Sequence, residues 1–553
     1  MRGLLLVGTL LFIACNHKQK NQETPKNVQP NILVIMLDDL GYSDFGCFGS
    51  EIKTPNIDAL AENGIRFTNF KTAPMCAPSR SMFLSGNNNV TVGHGRMLRP
   101  SKDAALYGKQ GYESEITDRI VTFSKLLQDN GYYNAVVGKW HQGHSPQSYP
   151  INHGFEDSWV LTDGYSNHFN NRGLGLVGRD TLTEFVNNDK IVAWEEGAFS
   201  TDFYTNKMIE YLNKAKAKKQ PFFGFASYTA PHWPLQLPDD WLEKELYKGV
   251  YDDGYEALRK KRFKALQKKG IIPANTEFPP PMDMFKPWEE LTIPQQKRES
   301  RKMELYAGMV EHADFHIGRL IQTLKENGQF ENTIVLVLSD NGASDTDLYN
   351  EPKRGIYCRK YHSNEMPNMG RESSWVSHGK PWANSLMSPF LGFKTWASEG
   401  GIASPLIVSG SGITEKGVIK KELITIQDLA PTFLDLAEVK YPEKYNDKPV
   451  IPMLGKSMAN YWKDSNGHSP YDESSIFVAE NRDHAMLLKE HWKIVNFGKA
   501  ADTSQFKLFN LNTDLGERTD LSEEYPAKKQ ELLEEWLAFK EEVGILLSEP
   551  IPN

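Results

Sequence analysis

The sequence predicts an α/β fold: a large mixed, mostly parallel sheet covered by helices, with a smaller C-terminal part carrying an antiparallel sheet and a helix. Three observations lead there. Apolar runs of strand length recur at 31–37, 135–137, 222–226 and 333–338, and a run without alternation fits a strand buried on both faces. Helical patterns lie between these runs, as in strand–helix–strand units. Beyond about residue 441 the pieces become short and strand-like, around 474–478, 486–496 and 506–510, ahead of an amphipathic helix near 525–541.

In chain order, Arg2 and the short apolar run from Leu4 to Ala14 end at Cys15. This resembles a bacterial lipoprotein signal over 1–15, with Cys15 lipidated after cleavage; an ordinary secretory signal is the alternative. The polar stretch 16–29 reads as a tether. No later run is long enough for a transmembrane helix, so the expectation is an exported protein, periplasmic or at the cell surface, held to the membrane by lipid alone. The main domain is placed at 30–440 and the C-terminal subdomain at 441–553. Thr54-Pro55 caps and starts a helix ending near Gly64, Thr122 starts one stopped by Gly131, and a long helix over about 301–327 is closed by Gly328. Residues 245–300, charged and proline-rich, read as a surface insertion. Residues 342–390, with Trp375, His378 and Trp382, read as a long functional loop. A further helical stretch runs from Ile426 to Phe433.

Composition narrows the class. The 553 residues are 39% hydrophobic and 11% aromatic, enough for a substantial core. A formal charge of −8 gives no electrostatic reason to expect nucleic-acid binding. Four cysteines in so long a chain exclude a disulfide scaffold, although Cys47 and Cys358 are open to pairing in an exported protein.

Chemistry gathers where the strands end. The first run ends in Asp38-Asp39, the second in Lys139-Trp140-His141, the third leads to His232, and the fourth ends in Asp340-Asn341. In open α/β sheets the ligand crevice lies beyond the carboxyl ends of the strands. Asp38, Asp39, Asp340 and Asn341 offer only oxygen ligands, which favour Ca²⁺ or Mg²⁺ over Zn²⁺. Taken singly, each is an ordinary cap or turn.

The sharpest local signal is Cys76-Ala77-Pro78-Ser79-Arg80, followed by an apolar stretch to Gly86. This looks like the signature of type I sulfatases. The resemblance extends to Leu37-Asp38-Asp39-Leu40-Gly41-Tyr42, Thr54-Pro55-Asn56-Ile57-Asp58, Gly138-Lys139-Trp140-His141, Ala230-Pro231-His232-Trp233-Pro234, Ser339-Asp340-Asn341-Gly342, and Lys394 ahead of Glu399-Gly400-Gly401. Its bacterial arylsulfatase branch is the most similar. Where the family commonly has Arg-Val-Pro after Glu-Gly-Gly, this chain has Ile402-Ala403-Ser404-Pro405, a difference that bears on packing.

The resemblance implies an alkaline-phosphatase-like sandwich and a sulfatase that hydrolyses a sulfate monoester. Its substrate would be a sulfated glycan, such as one with terminal sulfated galactose, or an aryl sulfate. Cys76 would be converted to formylglycine by a formylglycine-generating or anaerobic sulfatase-maturating enzyme. One Ca²⁺ would be held by Asp38, Asp39, Asp340, Asn341 and the modified Cys76. Arg80, Lys139 and Lys394 would supply positive charge, His141 would take a proton from the hydrated aldehyde, and His232 with Lys394 would protonate the leaving alcohol. Two alternatives remain: a phosphonate monoester or phosphodiester hydrolase of the same superfamily, and a non-catalytic surface protein that binds sulfated glycans. His144, His153, His168 and His378 carry no motif support.

Overall fold

The computed structural model describes residues 29–547 apart from 98–104, 174–181, 353–354, 464–466 and 499. The expected signal over 1–15, its Cys15 and nearly all of the tether lie outside the described residues. Among those described, no helix is long and apolar enough to cross a membrane.

Eleven strands form the large sheet. In chain order they are β1 (Asn31–Leu37), β2 (Gly64–Lys71), β3 (Tyr133–Lys139), β4 (Asp157–Leu161), β5 (Phe185–Asn187) and β6 (Lys190–Val192). Then follow β7 (Phe222–Ser227), β8 (Thr333–Ser339), β9 (Ala403–Gly410), β10 (Val418–Lys420) and β11 (Ile424–Thr425). Their order is β10-β2-β9-β8-β1-β7-β3-β4-β5-β6, with β11 also on β2. The centre, β8-β1-β7-β3-β4, is parallel, which carries the ends of these strands to one edge.

β1 shows why the apolar runs were continuous. Leu33, Ile35 and Leu37 enter the core layer on one face of the sheet, and Ile32, Val34 and Met36 the layer on the other. With both faces buried, the one polar residue of the strand, Asn31 at its start, is satisfied by donating to Thr333 Oγ1 at 3.3 Å, and the rest are apolar.

β9 is antiparallel to both β2 and β8, and the chain reads poorly as a strand there because of Pro405. Proline cannot donate to a ladder. Here it falls opposite the register shift between Phe67 and Phe70 of β2, where pairing is already interrupted. Since β2 opposes β9 and β9 opposes β8, β2 points the same way as β8, so the chain leaves it at the same sheet edge.

Helices begin and end broadly where expected. Thr122 caps the Phe123–Asp129 helix by accepting from Lys125 N. Thr54 makes no such cap; its hydroxyl donates to Asp58 (3.0 Å) ahead of the Pro55–Glu62 helix. The long helix is Ile293–Glu326, starting earlier than expected at a Thr292–Gln295 capping box. The insertion reading of 245–300 is corrected: Tyr251, Tyr255, Leu258, Phe263, Leu266 and Trp288 all join the main core, so the charged residues are one face of a packed segment. The stretch 342–390 is irregular with short helices, as expected, and buries Trp375 and Trp382.

The C-terminal sheet is antiparallel, with strands Ile476–Asn481, His484–Lys489, Trp492–Phe497 and Lys507–Asn510. The single piece expected at 486–496 is two strands of a hairpin, turning at Glu490-His491 between Lys489 and Trp492. Val478, Leu487 and Ile494 pack under Leu532 and Trp536 of the Pro526–Val543 helix. The opposite face, with Phe477, Met486 and Val495, joins the core beneath the large sheet. A buried charge network adds to this contact. Lys493 lies 2.9 Å from Glu399 and 2.8 Å from Glu517, and Glu399 also pairs with Lys71 of β2. Cys47 and Cys358 are buried and free, so they form no disulfide.

Candidate active site

The expected site residues converge. Asp38 and Asp39 follow β1, Lys139 closes β3, Asp340 and Asn341 follow β8, and His232 follows β7 by five residues. Cys76 opens the Cys76–Ser85 helix shortly after β2, and all ten residues of that helix are buried. Ligand atoms of Asp38, Cys76 and Asp340 lie within 4.8 Å of one another, as do those of Asp38, Asp39 and His232.

Each carboxylate has a cation. Lys139 Nζ donates to both oxygens of Asp38, at 2.8 and 2.7 Å. Arg80 donates from Nε (3.0 Å) and Nη2 (2.7 Å) to Asp340 Oδ2. Arg80 Nη1 donates to the Lys139 carbonyl at 2.9 Å and to Ser227 Oγ. Lys394 Nζ donates to Asp39 Oδ1 at 2.6 Å, and Asn341 Nδ2 donates to the same oxygen at 2.7 Å.

The surroundings set the protonation. Burial lifts the Asp38 carboxyl to about 8 against the pull of Lys139, and Asp340 and Asp39 add to the rise. For Asp39 burial also pushes upward, but Lys394 and His232 outweigh it and hold the group below the usual carboxylate range. His141 is held well below 6.5, first by burial and then by Lys139 and Arg80, so its ring is neutral near pH 7. His232 is depressed as well, by burial and by Lys394 and Lys139, although Asp39 opposes the fall. Its Nδ1 lies 2.6 Å from the Trp233 carbonyl. A carbonyl only accepts, so Nδ1 carries the hydrogen and the bare Nε2 faces Asp39 Oδ2 at 3.3 Å.

Two acceptors here are left over. Asp39 Oδ2 and Asn341 Oδ1 are buried without hydrogen-bond partners. Buried acceptors are normally satisfied, and an oxygen-rich set with spare lone pairs suits a hard divalent cation.

A cavity of about 1450 Å³ opens over these groups and is lined by Cys76, His141, His232 and Lys394. Of the histidines without motif support, His144 and His378 line it. His168 instead braces the site, with Nε2 3.2 Å from the His232 carbonyl. Two contributors escaped the sequence reading. Ser227 anchors Arg80, and its only sequence signal was its place at the end of an apolar run. Gly164 packs against His141, where a Cβ would stand 2.6 Å from Cε1; nothing local marks it.

Residues 30–439 match the family Sulfatase, and residues 393–541 match N-sulphoglucosamine sulphohydrolase, C-terminal. An arylsulfatase of Klebsiella aerogenes is 38% identical over 78% of this chain and 91% of its own. An uncharacterized sulfatase of Schizosaccharomyces pombe is 36% identical over 94% of both chains. The crystal structure of Ps i-CgsB superposes with a TM-score of 0.65 at 25% identity, covering 92% of both chains, and that protein has also been crystallised with k-i-k-neocarrahexaose. The architecture is the alkaline-phosphatase-like sandwich with its C-terminal antiparallel sheet, and the chain belongs to the sulfatase family, as a sulfuric ester hydrolase.

Proposed function

We propose that this sulfatase hydrolyses sulfate monoesters of glycans, using a formylglycine made from Cys76 and one Ca²⁺ held by Asp38, Asp39, Asp340, Asn341 and residue 76. The observation that carries the reading is the meeting of Cys76 with Asp38 and Asp340 at the ends of buried strands. The oxygen-only donor set and its two unpartnered acceptors fit a hard cation. When bound, such an ion neutralises sulfate charge and lowers the pKa of the attacking hydroxyl, which the hydrated aldehyde supplies.

The chain's own groups then have distinct tasks. Arg80 and Lys139 fix Asp340 and Asp38 in orientation and bring positive charge to the anion. Neutral His141 accepts a proton from the hydroxyl that remains at residue 76, releasing sulfate. Lys394 is suited to deliver a proton to the leaving oxygen, with His232 beside it, whose bare Nε2 near Asp39 must first take up a proton before it can donate one. The N-terminus of the Cys76–Ser85 helix adds a favourable field for an anion at residue 76. The conversion of Cys76 itself falls to a formylglycine-generating or anaerobic sulfatase-maturating enzyme.

A sugar substrate is supported by the size of the cavity and by Tyr165 and Trp233 on its wall, with Tyr165 stacked parallel to His232 at 6.2 Å. Comparing rates on sulfated mono- and disaccharides, an aryl sulfate and a phosphodiester tests the reading; preference for the phosphodiester by orders of magnitude overturns it. Peptide mass spectrometry tests the modification, since thiol-to-aldehyde conversion removes about 18 Da from the Cys76 peptide. An active native protein with wholly unconverted Cys76 rules out the formylglycine route.

A further inference from the structure

Away from the cavity, Asp202 on the Ser200–Lys218 helix faces His312 and His316 on the Ile293–Glu326 helix. The two histidines are four residues apart, so they share one helix face, and both are buried. His312 Nε2 and His316 Nε2 are 3.2 Å apart, and lie 3.3 Å from Asp202 Oδ2 and Oδ1 respectively. Ligands about 2.0 Å from a tetrahedral ion stand about 3.3 Å from one another, which is the spacing found here.

Against the upward push of burial, the two rings hold the Asp202 carboxyl below its usual range. Yet its buried Oδ2 has no well-aligned hydrogen bond, and the 3.2 Å contact between the two Nε2 atoms leaves at least one of their hydrogens poorly placed. The walls are apolar: Phe199 and Trp241 lie edge-on to His312, and Phe315 to His316. Asp240 adds negative charge near His312. Arg319 opposes a cation, with Nη1 3.1 Å from His316 Nδ1. That donor places the ring hydrogen on Nε2, so binding an ion requires this half-exposed side chain, whose Nη2 donates to the exposed Asn206 at 2.7 Å, to turn away and the hydrogen to move to Nδ1.

We propose that Asp202, His312 and His316 form a second metal site, which takes Zn²⁺ or a similar borderline ion and ties the two helices together. Two imidazoles and one carboxylate suit Zn²⁺ and not Ca²⁺, whereas the catalytic cluster has the opposite preference. The Asp202 side chain is 42% exposed, so water can supply a fourth ligand.

The test uses the full, modified enzyme in saturating Ca²⁺, which keeps the oxygen-ligand site filled, with Co²⁺ and Zn²⁺ as probes. The expectation is one additional equivalent of metal per chain by elemental analysis and the intense visible absorption of tetrahedral Co²⁺. Both should vanish in His312→Gln and His316→Gln and persist in Asp340→Ala. A rise of several degrees in the melting temperature of the wild-type chain with Zn²⁺ is a reading independent of how the variants fold. No additional equivalent and no thermal shift in the wild type overturns the assignment. So does metal that persists in both folded histidine variants or disappears in Asp340→Ala.

Discussion

Arg80 holds Asp340 by two donors converging on one oxygen, while the other oxygen of Asp340 accepts from the backbone N–H of Asp39 at 3.2 Å. Asp340 is thereby fixed between a helix on one side of the pocket and the end of β1 on the other. Arg80→Lys keeps the charge and loses the fork. Turnover should fall about 100-fold or more, with a loss of roughly 2 kcal/mol in stability. Paired measurements of kcat and of urea denaturation check this; near-normal kcat in the lysine variant contradicts a directional role for the fork.

Asp340→Ala removes a carboxylate from the proposed cation set. Bound calcium and activity should be lost together, the rate falling by about 1,000-fold. Retention of stoichiometric calcium alongside normal turnover removes Asp340 from the set.

Gly164 leaves no room for a side chain beside His141, where a Cβ would sit 2.6 Å from Cε1 and 2.9 Å from Nε2. Gly164→Ala should displace the ring and lower kcat by about 10- to 100-fold with little change in melting temperature. The same substitution in a His141→Gln background should cost little more, because the two changes act on one group. Additive losses in the double variant would count against positioning.

Asp314 accepts from Asn56 N (3.2 Å) and Ile57 N (2.8 Å) at the start of the Pro55–Glu62 helix. Burial lifts its carboxyl from 3.8 to about 6, against the pull of these donors. The folded state therefore binds the proton more tightly than the unfolded chain. Its contribution is full below pH 3.8 and declines as pH rises through 6, by roughly 3 kcal/mol in total. Asp314→Asn should lose that slope, so its stability relative to the wild type improves between pH 4 and 7. Parallel stability–pH curves for the two proteins exclude the effect.

Lys493 bridges Glu399 and Glu517 where neither reaches water, with Lys71 as the second cation on Glu399. Burial raises Glu517 to about 7 even with Lys493 beside it, and Glu399 adds to the rise. Lys493→Met should therefore cost about 3 kcal/mol or more, and adding Glu517→Gln should recover part of it. Chemical denaturation of the three proteins measures both effects, and a single-variant loss below 1 kcal/mol refutes the network's importance.

Much of the sheet was legible because strands such as β1 and β8 are buried on both faces, and burial writes itself as unbroken hydrophobicity. β9 was not, since Pro405 is tolerated only by an irregularity in β2, more than three hundred residues away in sequence. Tyr255 and Leu266 belong to the core although their neighbours are charged, so composition over 245–300 concealed a packed face. Within the pocket, Asp38, Asp340 and Cys76 sit in short motifs that carry their own chemistry. Gly164 and Ser227 act only through proximity to His141 and Arg80, a relation created by folding and absent from any local window.

All ten residues of the Cys76–Ser85 helix are buried, and its first residue, 2% exposed, meets only the floor of the cavity. A catalyst that must grip the peptide on both flanks of that sulfur finds no purchase once this helix has docked. On the proposed formylglycine route, the maturating enzyme would therefore have to reach the thiol while the segment is still an open thread, before the helix docks.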